Sequence, residues 1–286
     1  MNNDTENQQL INWYPGHMAK GMREIKENAS LADVFIIVLD ARCPISSYNE
    51  DFDSISPSKP RVFIITKSDL MDVSKKAAIE KRFGSSMLLW LDLRNPKSKN
   101  IIINKLKKIT ESKVAKDKQK GLINSRIKAF VMGIPNAGKS TLINLVSNKK
   151  SLQVANYPGV TRAKKWVTVD NFFFMDTPGI LLPKLTDQYA ATKLAMIGSI
   201  ETNIFPQKFL FTNFLKVLAD YYPKLLIDEF KLTEDDLGNL NEIKTYNVLT
   251  KIAVLKGYVK NNKYDFNKTY TFFINWVRNL KGVTFD

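Results

Sequence analysis

Cysteine occurs once in this 286-residue chain, as Cys43. A single cysteine excludes an intrachain disulfide. Its surroundings, Ala41-Arg42-Cys43-Pro44, offer no histidine neighbour, so it reads as a loop or packing residue. No apolar run reaches the roughly 18–20 residues that cross a bilayer, so no membrane partner is expected. The first ten residues are polar and lack the basic-then-apolar layout of a signal peptide. A cytoplasmic location is therefore expected. No internal repeat is visible.

Acidic residues are also short: 28 Asp and Glu stand against 43 Lys and Arg, a net charge of +15. The imbalance is local. Residues 1–184 hold 30 basic and 17 acidic residues, and 185–286 hold 13 and 11. Between Lys97 and Lys128 there are 11 basic residues and 2 acidic ones. Such a surplus expects a polyanion; RNA fits a cytoplasmic protein, and DNA is not expected. A lysine-rich helix face that meets only solvent is the alternative.

The remaining 44% of hydrophobic residues is patterned. The continuous apolar run at 34–39, a pattern repeated at 61–65, predicts strands buried on both faces, and 87–91 and 126–132 are expected as further strands. Helical periodicity predicts helices at 15–28, 74–82 and 99–112, with a charged linker at 113–124. A hairpin is expected over 163–169 and 172–175, around Asp170-Asn171. This alternation predicts a doubly wound α/β domain with a mostly parallel sheet over residues 1–184. Periodic helices at 189–200, 207–220, 240–255 and 270–280 predict an all-helical domain over 185–286. Phe209, Phe211, Phe214, Phe272, Phe273 and Trp276 supply its expected core.

Residues 133–140 read Gly-Ile-Pro-Asn-Ala-Gly-Lys-Ser, after a strand and before a helix, which is a complete phosphate-binding loop. Amides of Asn136, Ala137 and Gly138 and the helix start at Ser140 and Thr141 can face anionic oxygens. Lys139 can reach β- and γ-phosphates, and the Ser140 hydroxyl can ligate Mg²⁺. Asp176-Thr177-Pro178-Gly179 follows the next strand pair; Asp176 can hold Mg²⁺ and the Gly179 amide can meet a γ-phosphate. Thr161, in Pro158-Gly159-Val160-Thr161, can join the metal only when a γ-phosphate is present, as a nucleotide-dependent switch.

Thr66-Lys67-Ser68-Asp69 follows the 61–65 strand. A carboxylate at Asp69 can accept from guanine N1–H and its N2 amino group, a donor pair that adenine lacks. Lys67 can lay its stem along the base. GTPases usually open this motif with Asn, where Thr66 stands here. An ATPase of the same loop class is the competing reading, and Asp69 argues against it. The base motif precedes the phosphate loop, so the order is that of a circularly permuted GTPase. The helix and linker at 99–124 would join the original termini, and the helical domain would hang from the Asp176–Gly179 switch.

With these motifs the chain resembles the YlqF/RbgA family of circularly permuted GTPases of ribosome assembly. The further marks are Trp13-Tyr14-Pro15-Gly16-His17-Met18-Ala19-Lys20 and Val38-Leu39-Asp40-Ala41-Arg42-Cys43-Pro44. The resemblance implies GTP hydrolysis coupled to late maturation of the large (50S) ribosomal subunit. It implies GTP and GDP as ligands with Mg²⁺, and an RNA-contacting helical C-terminal domain. The partners expected are the rRNA and proteins of the precursor subunit, with the chain a monomer off the ribosome. Asn136 matches a position tied to K⁺-assisted hydrolysis, and His17 matches a histidine placed near the catalytic water. Two departures bear on chemistry. Ile180 stands where many GTPases carry a water-orienting glutamine, and Asp92-Leu93-Arg94-Asn95 does not match the usual second base-contacting loop. The missing glutamine and the base motif altered at Thr66 motivate a second reading, an RNA-binding assembly factor that uses the nucleotide as a structural ligand.

Overall fold

The computed structural model describes residues 10–11, 14, 16–84, 87–147, 166–181 and 187–286. These fall into two compact units. One is drawn from Tyr14–Lys184, Lys281–Thr284 and Asp286; the other comprises Leu185–Leu280 with Leu10, Ile11 and Phe285. Thr161 and its neighbours in the expected switch lie outside the described residues.

The first unit runs α1 (Gly16–Asn28), β1 (Val34–Asp40), β2 (Arg61–Thr66), α2 (Lys76–Phe83), β3 (Leu88–Leu91) and α3 (Lys97–Gln119). It continues with β4 (Ile127–Gly133), α4 (Lys139–Ser147), β5 (Trp166–Val169) and β6 (Phe172–Asp176). The sheet order is β3-β2-β1-β4-β6-β5. Every neighbouring pair is parallel except β5–β6. All seven residues of β1 are buried, as are six of the seven in β4. That is why β1 is apolar up to its final Asp40 and β4 is interrupted only by the half-buried Lys128: a central parallel strand has a covered face on each side. Phe35 and Phe130 meet edge to face across the β1–β4 pair, 5.9 Å between centroids. Cys43 is fully buried, a packing residue.

Two expectations change. The expected linker at 113–124 is mostly helix, because α3 continues to Gln119. Lys113 pairs with Asp117 one turn on at 2.9 Å, and Asp117 also accepts from the Ser125 hydroxyl, so the charges that suggested a linker instead cap a helix end. Residues 281–284 and 286 group with the α/β unit, not with the helices. The cause is hydrogen bonding: Val283 N donates to Leu70 O, and Thr284 bonds to Ala41 and Asp72.

The second unit holds α5 (Gln188–Met196), α6 (Gln207–Tyr221), α7 (Pro223–Phe230), α8 (Glu234–Leu237) and α9 (Glu242–Leu255). A short hairpin, β7 (Val259–Lys260) and β8 (Lys263–Tyr264), leads to α10 (Phe266–Arg278). Helix starts follow capping chemistry. Asp187, Thr233, Asn241 and Asp265 accept from first-turn amides, each contributing about 1 kcal/mol. These caps set starts at 188, 242 and 266 rather than at the first periodic apolar residue. Phe211, Phe214 and Phe273 form the buried centre, with Phe211 and Phe273 rings 4.7 Å apart. Phe209, Phe272 and Trp276 are half-buried at its margin.

Candidate nucleotide site

Because β1, β2, β3, β4 and β6 run parallel, their C-terminal ends share one edge of the sheet. Asp40, Thr66, Leu91, Gly133 and Asp176 end those strands. The chain leaves β1 towards β2 on one side and β4 towards β6 on the other. Ligands of open parallel sheets bind at this kind of divergence.

Gly133 turns the chain out of β4 with φ +151°, and a Cβ there would lie 2.3 Å from Val38 O. Only glycine lets the loop leave between β4 and β1. Asn136 takes a left-handed φ of +58°. Lys139 opens α4 and folds back into the loop, donating to Gly133 O at 3.1 Å and Ile134 O at 2.8 Å. Burial pushes its ammonium down to about 8, with Asp176 opposing the shift. The ammonium is thus engaged by two loop carbonyls, with which phosphate oxygens would compete for its protons. Ala137 is buried, while Ser140 and Thr141 are exposed on the first turn of α4.

Ser140 Oγ lies 3.1 Å from Asp176 Oδ2. Asp176 Oδ1 is buried and has no hydrogen-bond partner among the described residues. A hydroxyl, a carboxylate and an orphaned carboxylate oxygen beside a phosphate loop fit a hard divalent cation such as Mg²⁺. The next residues fold against the loop. A Cβ on Gly179 would sit 2.7 Å from Pro135 N and Cα, and Ile180 N donates to Gly133 O at 3.1 Å. Thr177 Oγ1 anchors the turn on Val131 O. Ile180 is fully buried in the α/β core, so its side chain is a packing group and not a poor substitute for glutamine. Helix α1 packs on the same segment: a Cβ on Gly21 would be 3.1 Å from Pro178 Cβ. His17 lies exposed on α1, one turn before Gly21.

The base motif meets the phosphate loop directly. Thr66 Oγ1 donates to Ala137 O at 2.6 Å and also reaches Leu39 O at 3.0 Å. Lys67 is left-handed at φ +56°, a conformation costing about 1–2 kcal/mol for a side-chain residue. Its ammonium holds Asp40 Oδ2 at 2.6 Å and Asn136 O at 2.9 Å. Asp40 is fully buried and also takes two guanidinium bonds from Arg42. Burial opposes its ionisation, but Arg42 and Lys67 together hold its carboxyl below the ordinary value. Asp40 and Arg42 had no assigned role in the sequence; their signals were an acid at the end of an apolar run and their place in the 38–44 segment that marks the family resemblance.

Asp69 is occupied. Arg94 donates to Asp69 Oδ2 at 2.6 Å while its Nε donates to Asp92 at 3.0 Å. Asp92-Leu93-Arg94-Asn95 thus lies beside the Thr66–Asp69 motif although its residues do not match the usual second base-contacting loop. Leu93 approaches the loop as well, since a Cβ on Gly138 would be 3.4 Å from Leu93 Cδ1.

Comparison with known proteins agrees with this geometry. A family model described as 50S ribosome-binding GTPase matches residues 128–214, from β4 into α6. A ribosome biogenesis GTPase A of Bacillus licheniformis is 36% identical over 79% of this chain and 81% of its own length. The chain belongs to the ribosome biogenesis GTPase A family. As a member it is a GTPase. The family likeness spans the full length in one case: a probable ribosome biogenesis GTPase A of Mycoplasma genitalium is 31% identical over 97% of this chain and 96% of its own. A crystal structure of YlqF from T. maritima aligns over 93% of this chain at a TM-score of 0.61 and 20% identity, which supports the permuted fold.

Proposed function

We propose that this GTPase is a switch that binds a precursor of the large ribosomal subunit late in its assembly and leaves after hydrolysis. The observation that carries the reading is the common sheet edge. Lys139, the Ser140–Asp176 pair and the Thr66–Asp69 motif stand at neighbouring strand ends, joined by the Thr66–Ala137 hydrogen bond. In this reading Asn136, Ala137, Gly138, Lys139, Ser140, Thr141 and Gly179 take the phosphates. Lys67 and Asp69 take guanine. Ser140, Thr161 and Asp176 would hold Mg²⁺, which neutralises charge developing on the phosphates. Asn136 is the position for K⁺. His17 orients the attacking water from α1, the helix already packed on Pro178. Turnover is slow until a ribosomal partner orders that segment.

The names of the relatives and of the family model support a ribosomal partner. The basic helix α3 and the helices of 185–280 are the surfaces proposed to meet rRNA, in a cytoplasmic protein that is monomeric off the ribosome and does not use DNA. The test is GTP turnover with and without large subunits, together with co-sedimentation under GDP and a non-hydrolysable GTP analogue. Stimulated turnover and retention by the analogue are expected. No hydrolysis in either condition, or retention indifferent to the nucleotide, overturns the proposal.

A further inference from the structure

The loops that leave β1 and β2 carry the base-site residues, yet neither is held by regular structure. Residues 41–47 are turns, and Lys67 begins a single 3₁₀ turn ending at Leu70. A third segment, far away in sequence, ties them together. Val283 N donates to Leu70 O at 3.1 Å. Thr284, fully buried, donates to Ala41 O at 3.1 Å and accepts from Asp72 N at 3.1 Å. The Asp286 carboxylate accepts from Ile45 N at 2.7 Å, Ser46 N at 3.0 Å and Ser46 Oγ at 2.5 Å. Leu70 and Asp72 immediately follow Asp69. Ala41 to Ser46 immediately follow Asp40, the carboxylate that pins Lys67.

We infer that residues 283–286 are a positioning strap that sets the aim of Lys67 and Asp69 on the guanine base. The inference rests on the reading of Asp69 as the guanine acceptor. Its physical basis is the geometry of a two-point contact. One carboxylate must meet N1–H and the N2 amino group together, and such bonds weaken steeply with small misplacement. A loop freed of the strap keeps one bond and loses the second. Hypoxanthine, which lacks the N2 amino group, has only the first to lose. The phosphate loop is carried by β4 and braced from within by Lys139, whereas the strap contacts named above end on the loops that leave β1 and β2. Strap damage should therefore lower base discrimination while leaving phosphate affinity in place.

The test compares the full chain with Thr284→Val, which removes the hydroxyl at equal volume, and with Asp286→Ala. Binding of GDP, IDP and tripolyphosphate is measured for each. The expected result is a fall of about fivefold in the GDP-over-IDP preference, the worth of one lost hydrogen bond, with tripolyphosphate affinity unchanged. Thr284→Ser, which keeps the hydroxyl, restores the preference. An unchanged preference in both variants overturns the strap. So does an equal loss for all three ligands, since that is general destabilisation. Asp69→Asn in the otherwise unaltered chain separates the two readings. If it fails to turn preference towards xanthosine nucleotides, the guanine assignment itself fails. If it succeeds while the strap variants keep full discrimination, only the strap falls.

Discussion

The Thr66 hydroxyl donates to the carbonyl of Ala137 at 2.6 Å, so the base motif and the phosphate loop are one hydrogen-bonded assembly. An asparagine amide is not required for that link. A threonine hydroxyl, buried and also within reach of Leu39 O, makes it with a shorter side chain. Thr66→Val keeps the shape and removes the donor. The buried Ala137 carbonyl then loses its donor, and GDP affinity should fall about fivefold, with a modest drop in Tm. Titration calorimetry and a thermal melt check both.

Lys139 gives a pH dependence with a definite sign. Its ammonium titrates near 8 in the ligand-free loop, below the ordinary lysine value. Bound phosphate, an opposite charge, raises it, so binding takes up a proton once the free lysine begins to lose one. GDP affinity without added metal should be level below about pH 7. It should then fall as pH rises through 8, by at most about tenfold per unit. Proton uptake read from buffers of different ionisation enthalpy checks the mechanism, and an affinity flat to pH 9.5 contradicts it.

Gly179 faces backbone, not a side chain that could swing away. A methyl group there would come within 2.7 Å of Pro135. Gly179→Ala should push the 177–180 turn off the loop. Affinity for a non-hydrolysable GTP analogue should drop at least about tenfold while GDP affinity changes little. Equal losses for both nucleotides would place the damage in the phosphate loop itself.

On the proposed reading of Asp69 as the guanine acceptor, Arg94, which donates to Asp69 Oδ2, would compete with the base. The Arg94 side chain is solvent-exposed, so water and salt screen the pair and it adds little to stability. Arg94→Ala should tighten GDP binding, by no more than about fivefold, and the gain should shrink with added salt. Weaker binding in the variant would mean that Arg94 contacts the nucleotide.

His17→Ala should lower ribosome-stimulated kcat by at least about tenfold, the scale of losing a group that positions or accepts a proton. GDP affinity should stay unchanged. Single-turnover kinetics with large subunits provides the measurement, and wild-type rates would remove His17 from the reaction.

Much of this site was legible because its chemistry is local. The phosphate loop and Asp176–Gly179 each combine turn geometry and ligand atoms within a few consecutive residues, so spacing alone exposes them. The buried strands were equally plain, since β1 and β4 have water on neither face. What stayed hidden depends on distant partners. Arg94 reads as a loop residue until Asp69 stands beside it. Asp40 reads as a strand end until Lys67 and Arg42 close on it. Thr284 and Asp286 read as the continuation of a helical domain until Ala41, Ser46 and Asp72 receive them. The α3 boundary failed for a different reason: charged residues suit linkers and solvated helices equally, and the Lys113–Asp117 pair decided it.

The sheet order carries a consequence for synthesis. β1 is central in the finished sheet, with β4 on one side and β2 on the other. On the ribosome β1, β2 and β3 emerge first and can pair, but β4 follows only after the long helix α3. Until then the nascent chain presents β1, apolar from Val34 to Leu39, as an open edge, the form of strand most prone to pair with a wrong partner. The permutation that gathers the base site early thus exposes the growing chain to misassembly for as long as α3 takes to appear.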